Sequence, residues 1–152
     1  GIGKKKIASW GKENCILETS YQGNGNLGVR MKRQLLLSQR GKNKFSNRPR
    51  DVIIIGTDIA NLCSWEITLA FTYLKKNKVV IGPSTDGGYW LIGFSKDIIN
   101  PYMYWPFSGI SWGKDSVLEE TVSKAKLKGI KYKLINEKND IDVISDLISW
   151  QK

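Results

Sequence analysis

The chain has 152 residues, a formal charge of +10 and no histidine. Ser-His catalysis, Cys-His catalysis and His-bearing metal sites therefore cannot come from this sequence. Any chemistry must use carboxylates, lysine or arginine, hydroxyls, backbone N–H groups or an oxygen-ligated cation. The two cysteines, Cys15 and Cys63, lie far apart, so neither a disulfide framework nor a zinc site is expected, and a reducing cytoplasm is the default location. No apolar stretch approaches the ~20 residues of a membrane-spanning helix.

Taken in chain order, strand-sized and helix-sized apolar patterns alternate. Strands are predicted at Cys15–Tyr21, Asp51–Gly56, Val79–Ile81, Tyr89–Phe94 and Ile130–Ile135. Helices are predicted at Val29–Gln39, Trp65–Lys76, Lys114–Lys128 and Val143–Trp150. This alternation predicts an α/β fold, a three-layer sandwich with a mostly parallel sheet, in which residues 1–152 form a single domain.

Two of these helices carry signals at their ends. Ser64 is the predicted N-cap of the second helix, whose apolar face would consist of Trp65, Leu69 and Tyr73. Gly129 follows the third helix, at the place where a left-handed C-cap residue belongs. The apolar stripe of that third helix comprises Val117, Leu118, Thr121, Val122 and Ala125.

The positive charge has three interpretations. It indicates a surface for a polyanion, an anionic small substrate such as a nucleotide, or a lysine-rich composition spread over a solvated surface. Much of it lies in Lys4–Lys6, Arg40–Arg50 and Lys124–Lys133. None of these segments interleaves basic residues with the aromatic residues of an RNA-binding sheet, so nucleic acid is not an expected partner.

A glycine-rich turn, QGNGNLG at residues 22–28, matches G-x-G-x-x-G between a predicted strand and a predicted helix. An NAD site would also need an acidic residue about 20 positions further on, where this chain has a basic loop. Two interpretations remain. The small residues Gly23, Gly25 and Gly28 let backbone N–H groups face an anionic substrate, with Arg30 nearby, or the turn simply requires positive φ angles.

Two Asp-containing segments follow predicted buried strands. Thr57 and Asp58 come directly after Asp51–Gly56, where open α/β sheets bind ligands and where a carboxylate can hold a hard cation. A helix N-cap is the alternative for Asp58. The segment Asp86-Gly87-Gly88-Tyr89 follows the next strand, and it is either a plain turn or a part of the same crevice. We expect the strands Asp51–Gly56 and Val79–Ile81 to be parallel neighbours, so that Asp58 and Asp86 share that crevice as the catalytic pair.

The remaining candidates lie later in the chain. Asp140 and Asp142 follow the last predicted strand, and Asp142 is a plausible cap for the terminal helix, which leaves Asp140 for another role. An aromatic segment comprises Tyr102, Tyr104, Trp105, Phe107 and Trp112. It could be core, an interface or a platform for a substrate ring, and on the last interpretation Trp112 contributes to substrate binding.

Together these segments resemble a known family. QGNGNLGVRMKRQL, DVIIIGTDIANL, VVIGPSTDGGYWLIGF, ISWGKDSVLEET and NDIDVISDL, in that order, are similar to the radical SAM/selenodomain-associated transferases, which are glycosyltransferase-A-like (GT-A) proteins. The resemblance implies a partial GT-A fold, of the nucleotide-diphospho-sugar transferase type. It places Asp58 at the metal-binding aspartate of the fold, and Asp86, Gly87 and Gly88 on the acceptor or sugar side.

The chain departs from the family pattern at several positions. Asn26 and Asn61 stand where the family has acidic residues, which lowers the negative charge available to a cation. The P-x-x-G-R-x-K-T-R-L loop that cradles the nucleotide has no counterpart before Cys15, so the chain is expected to be a member truncated at its amino terminus.

The resulting hypothesis is a glycosyltransferase-like or nucleotidyltransferase-like protein that uses a nucleotide-activated donor. Mg²⁺ or Mn²⁺ would be held weakly by Asp58, with a second oxygen from Asp86 or Asp140. The alternative is a non-catalytic anion-binding or assembly module that keeps the fold. An uncovered apolar face or sheet edge is expected to make the chain a homo-oligomer.

Overall fold

The computed structural model describes residues 20–40, 49–59, 61–98 and 108–141, together with Ser9 and Glu13. Three predicted features lie wholly or largely outside these ranges: the first strand, the terminal helix with its cap Asp142, and the aromatic residues at 102–107. The described elements, in chain order, are α1 (Leu27–Arg40), β1 (Val52–Ile55), α2 (Ser64–Leu74), β2 (Val79–Pro83), β3 (Tyr89–Phe94), α3 (Val117–Leu127) and β4 (Tyr132–Leu134).

The described strands form one mixed sheet in the order β1-β3-β2-β4. β3 is antiparallel to both β1 and β2, whereas β2 and β4 are parallel, so β1, β2 and β4 all run in the same direction. The α/β class is confirmed. The prediction that β1 and β2 are neighbours is wrong, although they are parallel in direction, because β3 lies between them. The turn at residues 84–88 is too short for a parallel crossover, so it returns the chain antiparallel beside β2.

Helices cover the sheet on both faces, which gives the predicted three layers. β2 and most of β3 are buried throughout, and their side chains alternate between the two faces except at the register shift beside Gly82 and Pro83, where Trp90 and Leu91 pack on the same face. On one face α1 and α3 pack against the sheet through Met31, Leu35, Ala125, Ile81, Ile92 and Phe94. On the other face α2 packs through Ala70, Leu74, Val80, Trp90 and Leu91.

The start and the buried face of α2 differ from prediction. Cys63 is the N-cap rather than Ser64, and its backbone N–H donates to Oε2 of Glu66 at 2.9 Å. The buried positions are Glu66, Ala70 and Leu74, whereas Trp65 is 55% exposed. The predicted apolar face is therefore rotated by one residue. Hydrophobic periodicity missed this because the first buried residue of the helix is a charged Glu66, which is paired in the interior.

The third predicted helix agrees more closely. In α3 the buried residues are Val117, Thr121 and Ala125, all members of the predicted stripe. Gly129 has a φ of +62°, so it ends the helix in the left-handed region as expected. Within the described ranges, no helix has the length and apolar character needed to cross a membrane.

Candidate active site

A cavity of about 650 Å³ opens at the edge of the sheet where β1, β2 and β4 end. Its walls come from residues 54–59, the β2–β3 turn, residues 112–115 and the start of α1. The predicted site residues that line it are Thr57, Asp58, Asp86, Gly88, Tyr89, Trp112 and Asp140. The expectation that Asp58 and Asp86 open onto one crevice is confirmed. Gly23, Gly25, Gly28, Arg30 and Gly87 are not among the described residues that line this cavity.

Asp58 lies in the loop that leaves β1. Gly56 continues the pairing with β3 through its N–H, which donates to the carbonyl of Trp90 at 2.9 Å. A methyl group at Gly56 would come within 2.6 Å of Asp58 Oδ1, so the carboxylate folds back over a glycine that leaves room for it. The backbone N–H of Ile141 donates to the carbonyl of Asp58 at 2.9 Å, which places Asp140 next to this loop. Because the cap of α2 is Cys63, Asp58 does not serve as its N-cap.

Asp86 forms a turn and also faces the cavity. Its Oδ1 accepts a hydrogen bond from the backbone N–H of Gly88 at 2.8 Å, which is the turn geometry expected of an Asp before glycine. Gly87 has a φ of +87°, and a side chain there would overlap the carbonyl oxygen of Asp115. The N–H of Leu118 donates to the Gly87 carbonyl at 2.9 Å. Gly87 therefore locks the turn against the start of α3.

The loop before α3 carries Trp112, and Glu120 holds it in place. Glu120 accepts hydrogen bonds from the Ser111 N–H at 2.9 Å and from the Ser116 hydroxyl at 2.8 Å. These donors hold the pKa of Glu120 below its usual value, the Ser111 backbone contributing most. The indole of Trp112 packs over Gly28 in the first turn of α1, where a Cβ would lie 2.5 Å from Nε1. Gly28 thus admits the indole and joins α1 to this loop.

The glycine-rich turn has positive φ angles, +80° at Gly23 and +114° at Gly25, as the interpretation of this segment as a plain turn requires. Asn26 caps α1, since its Oδ1 accepts from the N–H of Val29 at 3.0 Å. Arg30 Nη1 donates to Gln22 Oε1 at 3.4 Å. The turn is thus held by its own hydrogen bonds, and Gln22 and Leu27 are its members that reach the cavity.

Tyr89 contributes a wall to the cavity rather than an ionisable group. Burial raises the pKa of its phenol well above the usual value, and the Thr121 hydroxyl acts in the opposite direction to a smaller extent. At neutral pH the phenol is uncharged. Its ring is therefore available for packing, whereas proton transfer at Tyr89 is not favoured.

Charge in the cavity opposes the charge of the whole chain. Among the described residues that line the cavity, Asp58, Asp86, Asp115 and Asp140 supply four carboxylates, and Lys114 supplies one ammonium group. Sequence reasoning missed Lys114 and Asp115, although both lie in the ISWGKDS segment that contains Trp112. In the part of the chain that the structure describes, no cluster of three or more acidic or cysteine side chains could hold a metal ion. Asp58 and Asp140 fit the smaller donor set that Mg²⁺ uses when substrate phosphates and water complete its coordination.

Comparison with known proteins supports this architecture. Residues 2–114 match a sequence family described as "Uncharacterized protein conserved in bacteria (DUF2064)". The fold matches a crystal structure from Desulfovibrio desulfuricans G20, described as a "putative nucleotide-diphospho-sugar transferase", with a TM-score of 0.73 and 27% identity. That match covers 96% of this chain and 61% of the other, so this chain spans less than two thirds of its structural relative. No curated protein matches the sequence. The GT-A-like fold expected from the sequence is therefore confirmed, and the chain belongs to the bacterial family DUF2064.

Proposed function

We propose that the cavity is the active site of a glycosyl- or nucleotidyltransferase-like protein and takes a nucleotide-activated donor together with Mg²⁺ or Mn²⁺. The observation that carries this proposal is a set of open carboxylates beside a half-buried tryptophan at the carboxyl edge of an α/β sheet. This edge is where open α/β sheets bind ligands. The similarity to the Desulfovibrio protein adds the class of substrate.

Each wall of the cavity has a distinct part in this proposal. Asp58 and Asp140 would hold the cation, which supplies charge neutralisation for a leaving diphosphate. Lys114 offers a second positive charge for phosphate oxygens. Trp112 and Tyr89 form an aromatic boundary for a base or sugar ring.

Asp86 is suited to receive the acceptor. Gly88 occupies its Oδ1, which fixes the orientation of the carboxylate and leaves Oδ2 for an incoming hydroxyl group. A carboxylate in this position can accept the hydroxyl proton as the acceptor attacks. Gly88, which also lines the cavity, lets the acceptor approach the backbone.

The charge of the cavity distinguishes this proposal from the alternative of an anion-binding module. From the described lining residues, a bare anion would meet four carboxylates and one ammonium group, which is unfavourable despite the positive charge of the whole chain. A diphosphate bridged by a divalent cation would not meet this repulsion. Nucleotide binding at this cavity should therefore require the cation.

Calorimetric titration with uridine and guanosine diphosphates, each with and without Mn²⁺, tests the proposal. Binding should appear with Mn²⁺ present, while Mn²⁺ alone should bind no better than roughly millimolar, as expected of a poorly charged oxygen site. Asp58→Asn should weaken the cation-dependent binding. The matched control is Asp97→Asn, at the opposite edge of the sheet, which should bind as the wild type does. Equal responses from both variants would remove Asp58 from the metal role, and cation-independent binding would favour the anion-binding module.

Other sequence expectations belong to the same proposal. We propose a single α/β domain that works in the cytoplasm, forms homo-oligomers and is related to the transferases associated with radical SAM proteins. Light scattering at several concentrations tests the oligomeric state. A monomer at high concentration would contradict it.

A further inference from the structure

A buried ion pair lies behind the cavity. Nζ of Lys138 is 2.8 Å from Oε1 of Glu66, and the two side chains are only 8% and 5% exposed. Nζ also donates to Asn61, to its carbonyl oxygen at 3.0 Å and to its Oδ1 at 3.1 Å. An ammonium group has three donors, so all three are used. The ring of Trp90 lies beneath the ammonium group, with its centroid 5.3 Å from Nζ.

The backbone of Lys138 reaches a second part of the site. Its N–H donates to the carbonyl of Pro83 at 3.1 Å, and its carbonyl accepts from the N–H of Thr85 at the same distance. These bonds join residue 138 to the turn that carries Asp86. Three residues later, the N–H of Ile141 donates to the carbonyl of Asp58. The short segment from 138 to 141 thus links the Asp86 turn, Asp140 and the Asp58 loop.

Stability alone does not account for a charged pair in this place. Removing two charges from water is costly, and apolar replacements of buried pairs are often neutral or stabilising. An ammonium group that bonds to three acceptors instead holds the residues that carry those acceptors in fixed positions. It fixes Asn61, at the end of the loop that begins with Asp58, and through Glu66 it fixes the N–H of Cys63 at the start of α2.

We propose that Lys138 is a positioning residue for the candidate site. Its ammonium group anchors the far end of the Asp58 loop while its backbone anchors the Asp86 turn. The carboxylates of Asp58, Asp86 and Asp140 are therefore held in a single arrangement, which the cation and the diphosphate require. The ligand in this inference rests on the proposed function, whereas the anchoring of the Asp58 loop and the Asp86 turn by Lys138 does not.

The test replaces the pair by apolar side chains, Glu66→Leu with Lys138→Met, so that no buried charge is left alone. The matched control is Lys78→Met with Asp97→Asn, which removes an exposed pair of the same type at the opposite edge of the sheet. Amide hydrogen exchange is measured at Ile141, whose bond to Asp58 involves neither replaced residue. The reference is the amide of Ile130, which donates to Ala125 at 2.9 Å below α3.

In the apolar variant, exchange at Ile141 should rise at least tenfold while exchange at Ile130 stays at the wild-type rate. Affinity for Mn²⁺ with uridine diphosphate should fall about 10- to 100-fold, the usual cost of losing an outer-shell partner of a metal site. The control variant should change neither quantity. Unchanged exchange at Ile141, or equal increases at Ile141 and Ile130, would overturn the inference.

Asn61→Ala provides a second test if the double variant fails to fold. This exposed side chain loses one acceptor while the ion pair remains, so a smaller rise in exchange at Ile141 is expected, and no rise would count against Lys138. If the wild type shows no cation-dependent nucleotide binding, the proposed function fails. The exchange measurements then decide the role of Lys138 by themselves.

Discussion

Both edges of the sheet carry acidic residues but use them differently. At the edge away from the cavity, Asp51 accepts from the N–H of Lys96 at 2.7 Å, and Asp97 pairs with Lys78 at 3.0 Å. At the cavity edge, the side chains of Asp58, Asp115 and Asp140 make no hydrogen bond or ion pair with any residue in the described ranges. The carboxylates at the far edge make contacts within the fold, whereas these three at the cavity edge are available to a ligand.

The ion pairs near the two edges differ in burial: the pair at the far edge is exposed, and the pair behind the cavity is buried. Lys78 and Asp97 at the far edge are 41% and 58% exposed, while Lys138 and Glu66 behind the cavity are buried. The carboxylates that face the cavity are open, and the charges behind them are fully paired. This is the arrangement expected of a site whose outer shell is fixed before its ligand arrives.

Single substitutions of the two lysines should give the largest contrast. Lys138→Ala leaves Glu66 buried without its partner, which should lower the free energy of unfolding by about 3–5 kcal/mol. Lys78→Ala breaks an exposed pair and should cost about 0–1 kcal/mol. Urea denaturation of both variants measures the difference. Equal losses would mean that the buried pair is more hydrated than its exposure indicates.

The turn glycines offer the next largest contrast. Gly87 and Gly113 both have positive φ angles, +87° and +81°, but only Gly87 is packed against backbone. Gly113→Ala should cost about 1 kcal/mol from its backbone conformation alone. Gly87→Ala adds an overlap with the Asp115 carbonyl and should cost about 3 kcal/mol or more. Thermal unfolding of the pair checks the prediction, and similar melting temperatures would show that the turn and α3 can move apart.

Much of this fold could be predicted because its elements are local. The β-branched run at Asp51–Gly56, the apolar stripe of α3 and Gly129 each depend on neighbours within a few residues. Strand order did not follow from the same signals. A turn of a few residues between β2 and β3 already requires an antiparallel return, and this cue outweighs the expectation of a parallel neighbour that the alternating pattern suggested.

Sequence identified three of the four carboxylates that line the candidate site, all but Asp115, but not the ion pair that lies behind them. Asp58 and Asp86 follow strand ends, a position that sequence can identify. Glu66 and Lys138 are far apart in sequence, and each looks like a solvated charge until the fold brings them together. The same pair explains why the buried face of α2 was assigned one residue away from its true position.

Gly28 tests the contact that joins α1 to the loop of the cavity. In Gly28→Ala, better helix propensity should stabilise the first turn by about 1 kcal/mol, and displacement of the Trp112 indole should cost a similar amount. Net stability should therefore change little, while the indole moves. The nuclear magnetic resonance shift of the Trp112 Nε1–H reports this movement. Gly129→Ala, which has open space around it, is the control and should leave that signal unchanged.

The smallest expected effect concerns Glu120, which holds the Trp112 loop through Ser111 and Ser116. Because these contacts depress its pKa in the folded state, the stabilisation is fully present above the unfolded value of about 4.5 and is lost as the pH falls through the folded value. Glu120→Gln should remove this part of the pH dependence. Glu119→Gln, its exposed neighbour on α3, should retain it. Melting temperatures of the three proteins between about pH 3 and pH 6 measure the difference, with the largest separation expected above the range in which carboxyl groups titrate. If Glu120→Gln followed the wild-type curve throughout, the Ser111 and Ser116 contacts would not hold the loop in solution, and other contacts, such as the packing of Trp112 on Gly28, would hold this wall of the cavity.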